Sequence, residues 1–176
     1  MEQRIFHKNA HTLRELMKAI KVSFVNRERD EDHYALWTSA CQQFHSSYDQ
    51  LAFPGGLEQQ LSSLKQEDAQ AVEMAVRFLE ADPWFFRSGY IKEELLRSLR
   101  TVQLTTDQQE RLQAVIIERI NKGSGREFRK YCRLARRLVT ASFVAQIQEA
   151  MMSDEPNISR RAGWVMSSIE SEHAIL

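Results

Sequence analysis

Apolar residues recur at steps of three and four from Leu13 to Ile169, interrupted at short intervals by turn-forming groups. That spacing is the period of an amphipathic helix, and it constrains this chain more than any other feature. Leu13, Leu16, Met17, Ile20 and Phe24 lie on one stripe, which predicts a first helix over about residues 9–25. The charged run Asn26 to Asp32 reads as a loop whose acidic end suits the positive N-terminus of a second helix. That helix, over 31–52, carries Tyr34, Trp37, Cys41, Phe44, Tyr48 and Leu51 on one face, and Pro54-Gly55-Gly56 stops it.

From residue 57 the pieces shorten. Leu57, Leu61 and Leu64 mark one helix, and Ala69, Val72, Val76 and Leu79 mark the next, ended by Asp82-Pro83. Trp84-Phe85-Phe86 opens a segment through Ile91, Leu95 and Leu99, with at least one of the three rings left over for a groove or the surface. Thr106-Asp107 reads as the cap of a helix with Leu112, Val115, Ile116 and Ile120, halted at Gly123-Ser124-Gly125. Phe128, Tyr131, Cys132, Ala135, Leu138 and Val139 form a stripe, followed by Phe143, Val144, Ile147 and Met151. After Asp154-Glu155-Pro156, the residues Ile158, Ala162, Val165 and Ile169 close the series. Six glycines and three prolines in 176 residues are too few for regularly punctuated strands. The expectation is a single all-α domain over 1–176, with an N-terminal helical hairpin over 1–56 and stacked short helices over 57–176.

Residues 126–170 resemble the HEAT-repeat family of α-solenoids. Phe128-Arg129-x-x-Cys132, with Ala135 and Leu138 on the same face, matches the family's first helix. Val144, Ile147 and Met151 followed by Asp154 match its second. A further first helix starts at Pro156 with Ile158 and Ala162 in place, but Ser159 takes the arginine slot and the arginines fall at Arg160 and Arg161. The likeness is degenerate over 57–121 and does not reach the N-terminal helices. It implies a short HEAT-like array with a curved surface that holds another macromolecule. A plain helical bundle generates much the same periodicity and stands as the alternative.

Charge is unevenly spread. Lys and Arg number 24 against 24 Asp and Glu, yet Arg119 to Arg137 holds eight cations and the single acid Glu127. Residues 1–76 lean the other way, with eleven acids against eight bases, densest at Asp30-Glu31-Asp32. Arg126, Arg129, Lys130, Arg133 and Arg137 recur at helical spacing and predict a basic ridge opposite the Phe128 face. Such a ridge meets an acidic protein partner or phosphates, or is neutralised by acids of neighbouring helices such as Glu93 and Glu118. Trp84 and Tyr90 join it as candidate aromatic contacts.

Catalytic patterns are absent from the sequence: no Gly-x-Ser-x-Gly elbow, no Walker loop, no dinucleotide-binding glycine motif. His7-x-x-x-His11 and Cys41-x-x-x-His45 each supply two ligand types one turn apart, but no third ligand accompanies either, so no metal or cofactor is expected. Cys41 and Cys132 are expected as reduced core thiols. The segment Met1 to Lys8 lacks a signal-peptide apolar run and no 18-residue apolar stretch occurs, so a cytoplasmic chain off the membrane is expected. The reading is a non-enzymatic protein-binding module acting through the basic ridge. The alternatives are a nucleic-acid-binding repeat protein, which the zero net charge disfavours, and a small immunity or inhibitor protein.

Overall fold

The computed structural model describes residues 3–123 and 125–173, so Ser124 of the predicted stop Gly123-Ser124-Gly125 and the segment before Gln3 lie outside the described residues. The described residues are all-helical, and nine helices follow one another: α1 (Gln3–Val25), α2 (Glu31–Ala52), α3 (Leu57–Lys65), α4 (Ala69–Ala81), α5 (Ser88–Leu99), α6 (Thr106–Lys122), α7 (Phe128–Ala135), α8 (Ala141–Met151) and α9 (Pro156–His173). None of them is long and apolar enough to cross a membrane.

Local chemistry accounts for the boundaries. Asp30 caps α2, its carboxylate accepting from the His33 backbone N–H at 2.9 Å. Thr105 and Gln108 close a capping box on α6, one residue before the predicted Thr106-Asp107 cap. Gly56 sits at φ 94, and a Cβ there would stand 2.8 Å from Asp49 Oδ2, so the turn into α3 requires glycine. Helix α1 begins several residues before the predicted start, because Phe6 and Ala10 continue the Leu13 stripe into the core.

The segment that Trp84-Phe85-Phe86 opens becomes helical only at Ser88. Asp82 leaves α4 in the left-handed region at φ 45, Pro83 follows, and Arg87 at φ 67 closes a turn held by Ser88 N–H to the Phe85 carbonyl. The turn buries Phe85 and turns Trp84 and Phe86 outward. Helix α7 stops at Ala135, so Leu138 and Val139 sit beyond it, Leu138 buried and Val139 exposed.

Packing runs in two rows. Helices α4, α6 and α8 lie against each other in succession, as do α5, α7 and α9, and α4–α5, α6–α7 and α8–α9 join the rows. The buried residues form one cluster from Phe6 to Ile169. Polar ties reinforce it. Asp82, at the end of α4, accepts from Lys92 Nζ and Arg119 Nη1, each at 2.6 Å, linking α4, α5 and α6. Arg111 of α6 grips Glu80 at 2.7 Å and Glu73 at 3.0 Å on α4, and those carboxylates hold its pKa above the usual guanidinium range. Arg161 of α9, itself buried, donates to the Ile120 and Asn121 carbonyls and so caps the C-terminus of α6.

The hairpin of α1 and α2 joins this body only at its foot. Phe6 meets Phe53 and Phe78 edge-on at 5.6 and 5.2 Å, and Phe53 stacks on Phe78 at 5.3 Å. A buried phenylalanine contributes about 1.5–3 kcal/mol, so this cluster is a firm anchor. From Arg14 to Gln43 no residue is buried. Of the α2 stripe only Phe44 is buried; Tyr48 and Leu51 pack half-buried against the core, and Tyr34 is 56% exposed.

Candidate partner-binding groove

The basic helix α7 is eight residues long, and five of them (Phe128, Tyr131, Cys132, Leu134 and Ala135) are buried. So short an amphipathic helix has no neutral flank, and Arg129 and Arg133 are forced to the outer face. Helix α9 packs beside it, with the Trp164 ring edge-on to Phe128 at 6.0 Å. Between the two helices lies a cleft of about 590 Å³. Phe128, Cys132 and Trp164 make its apolar floor, Ser167 and Ser168 one wall, and Arg126, Arg129, Arg133 and Arg136 its rim.

The rim cations differ in their commitments. Arg126 Nε donates to Glu93 Oε1 at 2.7 Å and its guanidinium covers the Tyr90 ring at 3.6 Å. The Glu93 carboxylate raises the Arg126 pKa further. Arg136 donates to Ser168 Oγ at 3.1 Å and Ser171 Oγ at 3.2 Å, fastening α7 to α9. Arg129 and Arg133 have no acidic partner among the described residues. Burial pushes the Cys132 thiol up to about 11, so at neutral pH the floor carries no thiolate and behaves as an apolar surface.

Of the residues singled out in the sequence, the structure brings Tyr90, Arg126, Arg129 and Arg133 to this one region. Lys130 is half-buried and does not line the cleft. Arg137 leaves the predicted ridge altogether: it lies past the end of α7 and donates to the Arg100 carbonyl and, at 3.2 Å, to the Val102 carbonyl. It is a tie to the α5–α6 connection, because a helix that stops at Ala135 cannot keep Arg137 in register with Arg133. Trp84, 73% exposed, belongs to a second cleft, of about 360 Å³, at the foot of the hairpin with Arg14, Lys18, Lys21 and Phe86.

Sequence reading missed Trp164, which is 47% exposed in the floor. Its signal was present: Ile158, Ala162, Val165 and Ile169 complete the core stripe of α9, and a tryptophan outside that stripe has no core to enter. Among the described residues no three His, Cys, Asp or Glu side chains converge to hold a metal ion, and both cysteines are free thiols. The cleft offers an apolar seat bordered by guanidinium groups. Comparison of the chain with family models, with curated proteins and with solved structures finds no significant match.

Proposed function

We propose that this chain is a non-enzymatic protein-binding module, a short HEAT-like helical array that holds an acidic segment of a partner in the α7–α9 groove. The observation that carries the reading is the pair Arg129 and Arg133, exposed and without acidic partners among the described residues, beside a floor of Phe128 and Trp164. A segment with one apolar or aromatic residue flanked by carboxylates satisfies both parts: the ring fills the floor and the acids pair with the rim. The two-row stacking of α4 to α9 supports the array, since such rows leave one continuous face open along their length.

The number of uncommitted cations favours protein over nucleic acid. Non-specific nucleic-acid binders make on the order of six to ten phosphate contacts. Here two rim arginines have no acidic partner among the described residues, and the chain is neutral overall. The test is affinity capture with wild type, with Arg129→Glu/Arg133→Glu and with Trp164→Ala. Loss of the captured partner in both variants is expected, and equal recovery by all three sinks the site. In parallel, titration of an RNA or DNA oligonucleotide at rising salt is expected to show no steep, salt-sensitive affinity. A steep slope assigns the groove to phosphates instead.

A further inference from the structure

We infer that this chain pairs with a second copy of itself through the distal half of the α1–α2 hairpin, the two hairpins running antiparallel with each tip seated over the other's basic, aromatic cleft. This surface is separate from the α7–α9 groove and does not depend on what that groove binds.

The cleft at the hairpin's foot is lined by Arg14, Met17, Lys18, Lys21, Trp84 and Phe86. Trp84 and Phe86 are turned out of the core, while Arg14 is fixed by donating to the Trp84 carbonyl at 2.7 Å. Lys21 has no acidic partner among the described residues, and the acid nearest Lys18, Glu15, stands 4.0 Å away at the outer limit of an ion pair. The hairpin tip offers the opposite balance: its Arg27 is paired with Glu28, and exposed Arg29 stands against the three acids Asp30, Glu31 and Asp32. Glu31 and Asp32 are exposed and have no cationic partner among the described residues, whereas Asp30 is occupied as the α2 cap. Beside them Val25 is 77% exposed.

The two patches cannot satisfy each other within one molecule. Both lie on the same rigid hairpin, with Met17 about 12 Å along α1 from Val25 at a helical rise of 1.5 Å per residue. Arg14, Lys18, Lys21 and Val25 follow at steps of four, three and four along one side of α1, so the basic cleft and the exposed Val25 of the tip share that side. A two-fold axis between two antiparallel hairpins therefore sets each acidic tip against the other's lysines, making the same contact twice. Such a pairing also covers the stretch in which no residue is buried, Arg14 to Gln43, and gives the hairpin the second pair of helices that a four-helix arrangement needs.

Sedimentation velocity of the full chain at rising micromolar concentration tests this, with circular dichroism confirming that each variant is folded. Wild type is expected to dimerise, more weakly at high salt. Lys18→Glu/Lys21→Glu and, separately, Glu31→Lys/Asp32→Lys are each expected to weaken the dimer by about tenfold or more. An equimolar mixture of the two variants is expected to recover the affinity, because each then offers the complement of the other's altered patches. A wild type that stays monomeric, a dimer indifferent to both swaps, or a mixture that recovers nothing overturns the inference. So does a dimer lost only on Arg129→Glu/Arg133→Glu, which puts the second copy on the α7–α9 groove.

Discussion

The N-terminal hairpin and the body from α4 to α9 carry the same three-four apolar spacing, yet they end in opposite states. In α4, seven of thirteen residues are buried; in α2, a helix of twenty-two, only Phe44 and Ala52 are. Propensity does not separate them, since both are helical throughout. Neighbours do: each body helix touches a helix in its own row and one in the other, whereas α1 and α2 pack mainly against each other, and from Arg14 to Gln43 neither holds a buried residue. Periodicity thus specifies which face of a helix is apolar, and the number of partners specifies how much of that face leaves water.

Substitutions that probe this contrast should divide by region. Phe78→Ala, at the joint where Phe6, Phe53 and Phe85 converge, is expected to cost about 3–5 kcal/mol by chemical denaturation, the loss of a fully buried ring and its contacts. A cost under about 1 kcal/mol would mean that the hairpin is not anchored there. Asp82→Asn keeps a residue type that tolerates φ 45 but leaves Lys92 and Arg119 without their shared carboxylate. The expected loss is about 2–3 kcal/mol, below the full figure for a buried pair because Asp82 is itself partly exposed. Thr105→Ala removes the capping box of α6 and is expected to cost about 1 kcal/mol. In the distal hairpin, Leu36→Ser at a 63% exposed position is expected to change monomer stability by no more than about 0.5 kcal/mol. A larger loss there would show that the outer hairpin is covered within one chain.

Much of this arrangement was legible before any coordinates. The span 31–52, the stops at Gly55-Gly56 and Asp82-Pro83, and the core stripes of α4, α6 and α9 follow from side-chain spacing and breakers, which act locally. What escaped depends on contacts distant in sequence. That Arg126 is spent on Glu93 and Tyr90, and Arg137 on the carbonyls of 100 and 102, follows from how α5 and α7 lie together, and no spacing encodes it. The start of α5 at Ser88 escaped because three aromatic residues before an apolar run look helical, although Pro83 and the left-handed Arg87 decide otherwise. Of the ridge as predicted, Arg129 and Arg133 are exposed at the cleft without an acidic partner among the described residues, and Trp164 enters the site from a different helix.

The smallest expected effect separates single helix starts by acid. Helix α2 is capped by a carboxylate, Asp30, as α4 is by Asp68, whereas α6 and α8 are capped by the hydroxyls of Thr105 and Thr140. Asp30 accepts from the His33 side chain Nδ1 at 2.6 Å and from its backbone N–H at 2.9 Å, and these bonds hold its pKa below the ordinary 3.8. A carboxylate with a depressed folded-state pKa contributes stability that is fully present above its unfolded value and is lost as pH falls through the folded one. Between about pH 5 and pH 2, therefore, the first turn of α2 is expected to fray while the hydroxyl-capped starts of α6 and α8 hold. Amide chemical shifts read this directly: the His33 N–H should titrate with a midpoint below 3.8, and the Gln108 N–H, bonded to the Thr105 hydroxyl, should not follow it. Asp30→Asn keeps a capping oxygen without a titrating proton, so it should abolish the His33 transition and leave α2 capped across the whole range. A midpoint at or above 3.8, or equal movement at His33 and Gln108, would show that acid loosens the molecule as a whole rather than its least supported helix start.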